Sequence, residues 1–191
     1  ITRHTILEIL KQSGRLAELE VNPQMFLDNV VSCIQRILYR LMIDGIKYEK
    51  VAGQEYEMML FENEEIETYL ANLFTVTRPE KTLYNYIPID SNIERQFAQE
   101  CEASESIKFF FKLPRGFKIP TPIGGYVPDW AVIFENDHRI YFVAETKSTL
   151  DANLLRQVEA MKIECGKKHF GVFIDTGVEF RQVREVKELY G

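Results

Sequence analysis

Hydrophobic residues recur at helical spacing along the N-terminal part of the chain. A short helix is predicted over residues 5–13. Asn22-Pro23 then forms a start signal, with Asn as the N-cap and Pro at the first helical position. The apolar residues that follow are spaced at helical intervals and predict a helix that ends near Gly45; they are Phe26, Val30, Ile34, Ile37, Leu38 and Leu41.

Two further elements are predicted before the pattern changes at Arg78-Pro79. Residues 46–51 and 55–61 flank Gly53-Gln54 and are expected to pair as a β-hairpin. Asn63 is expected to cap a helix whose apolar face carries Ile66, Tyr69, Leu70, Leu73 and Phe74. Residues 1–81 are therefore predicted to form a mainly helical packing region without chemistry of its own.

Short apolar runs alternate with helical segments in residues 82–191, which are predicted to form a second domain. Asp90-Ser91 opens a predicted helix with one apolar face, formed by Ile93, Phe97, Ala98 and Cys101. Predicted strands cover residues 107–113, 126–134 and 139–146. The short polar turn between the last two strands makes them an antiparallel hairpin.

The pattern closes with a helix, a strand and a helix. Asp151 is expected to cap a helix with Leu154, Leu155, Val158, Met161 and Ile163 as its apolar residues. Residues 170–174 (FGVFI) are continuously apolar, which is typical of a strand buried on both faces, and residues 179–189 predict a last helix. This order predicts an α/β fold with a mixed central sheet flanked by helices, preceded by a mainly helical region.

Composition and targeting signals narrow the class of protein. The 191 residues are 46% hydrophobic and 27% charged, as in a folded globular chain. The sequence contains neither a long apolar run that predicts a membrane span nor a secretory signal. Cys33, Cys101 and Cys165 are far apart and form no C-x-x-C pair, which favours a reduced, cytoplasmic protein without a zinc knuckle.

Several functional signatures are absent from the sequence. Neither G-x-x-x-x-G-K-[ST] nor G-x-G-x-x-G occurs, so this chain is not expected to bind ATP. The histidines are scattered and support no Ser-His-acid triad. The net charge of −6 argues mildly against nucleic acid as a partner, since phosphate contacts need cations, and acids that hold metal ions would weaken this objection. Because the chain begins at Ile1 rather than Met, we expect it to be a piece of a longer protein.

Charged residues interrupt both apolar strands of the predicted hairpin. Asp129 follows Pro128 in the first strand, and Glu145 and Lys147 end the second. Side chains alternate along a strand, so Glu145 and Lys147 share a face, and antiparallel pairing brings Asp129 near Glu145. Neighbouring carboxylates repel unless a cation lies between them, and Mg²⁺ suits such oxygen ligands. Lys147 would orient an attacking water or stabilise charge on a phosphoryl group.

A simpler interpretation is that Glu145 and Lys147 form an ordinary ion pair on a solvated sheet face. Glu-x-Lys alone is a weak signal, and the sequence contains a second copy, Glu185-Val186-Lys187. That copy lies in a polar helical pattern with no acid-bearing strand before it, so we interpret it as a solvated helix face. The first copy, Glu145-Thr146-Lys147, differs because its residues and Asp129 interrupt two apolar strands of one hairpin.

Pro128-Asp129 followed by Glu145-Thr146-Lys147 resembles the motif of the PD-(D/E)XK nucleases. The predicted helix, three-stranded meander, helix and strand over residues 92–174 are similar to the core of that family. The segments IPIDSNIERQFA, YVPDWAV, FVAETKS and CGKKHF most resemble the C-terminal endonuclease domain of the restriction subunit of type III restriction–modification enzymes. Residues 83–191 carry this resemblance. The preceding residues resemble, more weakly, the helical connection that follows the ATP-dependent translocase domains.

The resemblance implies hydrolysis of DNA phosphodiester bonds with Mg²⁺, or with Mn²⁺ in its place. Asp129, Glu145 and the carbonyl of Thr146 would ligate the metal, and Lys147 would position the water and help to deprotonate it. The implied partners are double-stranded DNA and the methyltransferase subunit that reads the recognition sequence. ATP would act only through translocase domains that this sequence lacks.

Further site residues are implied outside the hairpin. Glu94 matches an additional acid of the family that reaches a second metal or its waters, although Ser91-Asn92-Ile93-Glu94 is also a capping box that Glu94 would simply close. Gln157 is a candidate DNA contact on the helix after Lys147. The glycine-containing segment FKLPRGFKIPTPIGGY adds basic candidates for DNA contact, or merely a solubilised loop: Lys112, Arg115 and Lys118.

Two other functions are compatible with the same sequence. The chain could be a non-catalytic assembly or DNA-binding module, which would not require a divalent metal. It could also be a nuclease of the same fold that serves repair or another defence system. A test of metal binding distinguishes the non-catalytic module from the nuclease. A test of which proteins the chain binds is needed to distinguish a type III enzyme from a nuclease of another system.

Overall fold

The computed structural model describes residues 2–49, 72–137, 139–145 and 154–190, and only the backbone of Glu145 and of residues 154–156. The chain divides into two units, residues 1–44 and 45–191. No helix in the described part of the chain is both long and apolar enough to cross a lipid bilayer.

The first unit is helical, as its apolar spacing predicts. Helix α1 spans Arg3–Ser13, and helix α2 spans Pro23–Gly45, with a short 3₁₀ helix over Leu16–Glu20 between them. The predicted cap of α2 is present, because the Oδ1 of Asn22 accepts a hydrogen bond of 3.0 Å from the Met25 amide. The predicted end of α2 at Gly45 is confirmed.

The second unit is built around a mixed sheet. Two short strands, β1 (Leu73–Thr75) and β2 (Tyr86–Pro88), pair with each other and precede helix α3 (Asn92–Ala103). Strands β3 (Ile107–Lys112), β4 (Trp130–Phe134) and β5 (Ile140–Glu145) form an antiparallel meander. Helix α4 (Leu154–Gly171) then leads to β6 (Val178–Val183), which pairs parallel to β5.

Helices cover both faces of this sheet. On one face, Phe97 and Cys101 of α3 belong to a buried cluster with Phe110, Trp130 and Val143 of the strands. On the other face, the ring of Phe170 in α4 stacks on Phe142 at a centroid distance of 4.4 Å and on Phe180 at 5.5 Å. The predicted α/β fold with a mixed sheet flanked by helices and an N-terminal helical region is therefore confirmed.

Two predictions for the C-terminal region are wrong. Residues 170–174 are not a strand: Phe170 and Gly171 end α4, and Ile174–Thr176 forms a 3₁₀ turn. Their apolar character comes from helix packing, because Phe170 lies against the sheet. Residues 179–189 are not a helix, since 178–183 form β6 and Val186–Tyr190 is a 3₁₀ helix. Pairing with β5 outweighs the helix propensity of Glu, Arg and Gln in this segment.

The region before α3 also departs from prediction. Leu73 and Phe74 were expected on a helix but lie in β1, where Phe74 is opposite Ile87. Residues 46–49 adopt neither helix nor strand, and the rest of the predicted hairpin, together with the Asn63 cap, lies outside the described residues. The boundary predicted between residues 81 and 82 stays a prediction, although the pairing of β1 with β2 joins residues on its two sides.

Candidate active site

Asp129 lies at the start of the central strand of the meander. Its carbonyl accepts a hydrogen bond of 3.0 Å from the Leu113 amide, and its own amide donates one of 2.9 Å to the Val143 carbonyl. The backbone of Asp129 is therefore held by the chain on both sides, directly after the buried Pro128. Its side chain is half-buried. The main chain of Asp129 is thus fixed by hydrogen bonds, while its carboxylate is still accessible to a ligand.

The end of β5 lies beside the start of β4, as the hairpin requires. Trp130 pairs with Val143, and Glu145, two residues later, is the last residue of β5 and lies opposite Val183 of β6. Asp129 and Glu145 thus occupy the same end of two adjacent strands. Thr146 and Lys147 follow immediately but lie outside the described residues. Their proposed roles stay predictions.

Glu94 is buried and closes the N-terminus of α3. Its amide donates a hydrogen bond of 3.1 Å to the Oγ of Ser91, as in a capping box. Its carboxylate does not return this bond to Ser91; the Oε2 atom instead accepts from the Asp90 amide at 2.7 Å. With only 3% of its side chain exposed, Glu94 needs a cation to offset the cost of burying its charge.

Lys112 supplies that cation. Its Nζ lies 2.8 Å from Glu94 Oε2 and 3.1 Å from Asp90 Oδ2, and it also donates a hydrogen bond to the Pro88 carbonyl at 3.0 Å. A phosphate contact by this ammonium would require it to leave these acceptors, so Lys112 is better suited to holding Glu94. Because Lys112 pairs with Trp130, the residue after Asp129, this ion cluster adjoins the central strand.

The two other basic candidates lie in the segment between β3 and β4. Arg115 and Lys118 are exposed. The segment is folded back on itself, because Ile119 and Tyr126 exchange backbone hydrogen bonds of 2.8 and 2.9 Å. A turn from Thr121 to Gly124 closes the segment, with the Gly124 amide donating to the Thr121 carbonyl. This glycine-containing loop therefore has an internal hydrogen-bonded structure.

Tyr126, which the sequence analysis did not single out, is a polar residue close to Asp129. It is buried, and its hydroxyl has no hydrogen-bond partner among the described residues. Burial, reinforced by the charges of Asp129 and Glu159, raises the pKa of this hydroxyl. The sequence could have pointed to Tyr126 through its position in the segment YVPD, three residues before the predicted metal ligand Asp129.

Gln157 has a similar unsatisfied group. Its Oε1 is buried and lacks a hydrogen-bond partner in the described part of the chain. A buried amide oxygen that is left unpaired costs free energy, so groups of this kind are expected to find a partner in a bound ligand, water or another part of the chain. The assignment of Gln157 as a DNA contact stays a prediction.

The oxygen donors at this end of the sheet are chemically suited to Mg²⁺. Carboxylates and a backbone carbonyl are the hard ligands that this ion prefers, and neither histidine nor cysteine belongs to the predicted set. Among the described residues, no three His, Cys, Asp or Glu side chains are grouped as a metal site. Two of the predicted ligands, the Glu145 carboxylate and the Thr146 carbonyl, fall outside that search.

Comparison with protein families adds an independent observation. Residues 80–186 match a family described as an endonuclease domain, which is more than half of the 191-residue chain. The chain belongs to this endonuclease domain family. The matched range of the endonuclease domain contains α3, the meander, α4 and β6, and with them every predicted site residue. Searches of curated proteins and of solved structures give no significant match.

Proposed function

We propose that this endonuclease domain hydrolyses phosphodiester bonds of double-stranded DNA with Mg²⁺. The observation that carries the proposal is the placement of Asp129 at the start of β4, next to the end of β5 where Glu145 lies. Both residues are within the range matched to the endonuclease domain family. Two acids on adjacent strand ends can supply the one or two carboxylates through which Mg²⁺ is usually bound.

The roles of the residues follow from their chemistry. Asp129 and Glu145 would hold the ion through carboxylate oxygens, and Thr146 through its carbonyl. When bound, the ion lowers the pKa of a bound water and offsets negative charge on the phosphate. Lys147 would hold the attacking water and stabilise negative charge with a compact ammonium. The backbone bonds on both sides of Asp129 fix the main chain from which its carboxylate projects, which limits the reorganisation needed for reaction.

Glu94 is better explained as a positioning residue than as a ligand. Its Oε2 already accepts hydrogen bonds from the Asp90 amide and from Lys112. These bonds tie the start of α3 to β3, beside the central strand. Direct metal binding through the same oxygen would have to displace one of them. The family resemblance implies that Glu94 binds a second metal. Such binding would compete with the hydrogen bonds that Glu94 makes to Asp90 and Lys112.

The matched controls for this proposal are present in the chain itself. Asp129→Asn, and the double variant Glu145→Gln with Lys147→Ala, should each lose Mg²⁺-dependent nicking of supercoiled DNA. The double variant Glu185→Gln with Lys187→Ala removes the same residue types from the second Glu-x-Lys, and it should retain the activity. Nicking that survives both active-site changes, or that persists in EDTA, would overturn the metal-nuclease assignment.

We also propose that the domain belongs to the restriction subunit of a type III restriction enzyme, and that its partners include a methyltransferase subunit. The support is the similarity of the segments YVPDWAV and FVAETKS to that subfamily. In such a system the translocase and the sequence reader lie elsewhere, so this chain alone should cut weakly and without sequence preference. Efficient site-specific double-strand cleavage by the chain alone would contradict the type III assignment and leave the nuclease assignment intact.

A further inference from the structure

Lys162 of α4 lies beside the glycine turn that precedes Asp129. A Cβ placed on Gly124 would lie 3.7 Å from the Lys162 Nζ. The lysine is half-buried, yet its ammonium makes no hydrogen bond or ion pair with the described residues. An ammonium that no acceptor in the described residues engages is available to an anionic ligand. Lys162 therefore differs from Lys112, whose three acceptors are all provided by the chain.

The turn offers an anion an open approach to the backbone. Gly124 has a φ of 107°, a conformation that favours glycine, and the Thr121 hydroxyl donates a hydrogen bond to its carbonyl. At the next residue, a Cβ on Gly125 would lie 3.4 Å from the Cδ of Lys118. A lysine side chain therefore lies against each of the two glycines, and both glycines are exposed to solvent.

This turn is fixed relative to the candidate active site. Tyr126 follows it directly, and its ring packs so tightly on α4 that a Cβ on Gly166 would lie 2.5 Å from the Tyr126 Cε1. The same residue is bonded to Ile119 through its backbone and precedes Asp129 by three positions. The packing of Tyr126 on α4 therefore holds the helix of Lys162 and the segment that leads to Asp129 in one arrangement.

We propose that Lys162 and the Gly124-Gly125 turn contact a backbone phosphate of the DNA that enters the site of Asp129. The inference rests on the proposed nuclease function and adds a DNA contact to it. Lys162 supplies the positive charge, and the glycines allow the phosphate to come close to the main chain. Glu159 lies one helical turn earlier on α4, and its negative charge opposes the contact.

Binding of a fluorescent duplex, measured by anisotropy in Ca²⁺, tests this contact. Lys162→Ala should weaken binding about 3–10-fold and reduce the slope of log Kd against log salt by about one, because one phosphate contact is lost. Lys162→Arg should retain most of the affinity for the duplex.

Two variants at other residues serve as comparisons. Glu159→Gln should strengthen binding of the duplex. Lys187→Ala removes one positive charge from the C-terminal 3₁₀ helix and should have less than half the effect of Lys162→Ala on log Kd.

The outcomes separate this inference from the nuclease proposal. If the wild-type chain binds and nicks DNA but Lys162→Ala and Lys187→Ala weaken binding equally, the Lys162 contact is wrong and the nuclease function stands. If Glu159→Gln weakens binding, the phosphate does not lie near Lys162. If the wild type binds no duplex even at low salt, both proposals are overturned. Thermal melts of each variant establish that a change in affinity does not come from unfolding.

Discussion

The Nζ of Lys112 lies 2.8 Å from the Oε2 of Glu94, and these atoms join β3 to the first turn of α3. Only 16% of the lysine side chain and 3% of the glutamate side chain are exposed. The pair is therefore largely desolvated, in contrast to the surface pair of Lys11 and Glu8, whose side chains are 54% and 42% exposed. It fixes the helix against the strand that neighbours Asp129.

Removing the cation from this pair should destabilise the domain strongly. Lys112→Met leaves the Glu94 carboxylate buried without its counter-charge, which is expected to cost about 3–5 kcal/mol of unfolding free energy. Urea denaturation measures the effect, and Lys108→Met at an exposed position of the same strand is the matched control. Adding Glu94→Gln to Lys112→Met should recover part of the loss. A cost below about 0.5 kcal/mol would mean that the pair contributes no more than a surface ion pair.

Metal binding should appear as a thermal shift that depends on Asp129. A ligand that binds only the native state adds RT ln(1 + [L]/Kd), about 1.4 kcal/mol at tenfold Kd. For a chain of this size, that corresponds to an increase in Tm of about 3–5 °C. Asp129→Asn should remove this shift and leave the metal-free Tm unchanged or raised, because it removes charge repulsion. Equal shifts for wild type and variant would show that the bound metal does not use Asp129.

His169 should make the stability of the second unit dependent on pH. Burial lowers the pKa of its imidazole, and its ring packs on Tyr48, Phe170 and Phe173. The unfolded chain therefore takes up a proton at higher pH than the native one. Stability should fall as the pH drops from above the unfolded pKa of about 6.5 through the lower native pKa.

Chemical denaturation at several pH values between about 5.5 and about 7.5 measures this slope. His169→Gln should flatten it, whereas His4→Gln, at an exposed position in α1, should leave it unchanged. A slope that is the same in wild type and His169→Gln would assign the pH dependence to other groups.

Comparison of Tyr126→Phe with Tyr126→Ala distinguishes the contribution of the Tyr126 hydroxyl from that of its packed ring. The hydroxyl is buried without a partner among the described residues, so its removal should leave stability unchanged or raise it by about 1 kcal/mol. Tyr126→Ala, which also removes the ring packed on Gly166, should instead cost about 3–5 kcal/mol. Denaturant melts compare the two variants. A large loss of stability in Tyr126→Phe would show that the hydroxyl has a partner in the native protein.

Local signals in the sequence determined the elements whose ends depend on nearby residues. Asn22-Pro23 and Gly45 set the bounds of α2, and Ser91 set the start of α3, because caps act on backbone groups within one helical turn. The meander followed from the short turn between its last two strands, since such a turn permits only antiparallel pairing. These features also brought Asp129 and Glu145 to the same end of the sheet.

Contacts distant in sequence decided the remainder. Val178–Val183 is a strand because β5 lies beside it and pairs with its backbone, and Phe170 remains helical because its ring packs on Phe142. The sequence identified Glu94 as a capping residue, but the partner of its carboxylate, Lys112, is eighteen residues away on another element. Local propensity carries no information on such pairings. They are settled by which buried charges and apolar faces meet when the chain folds.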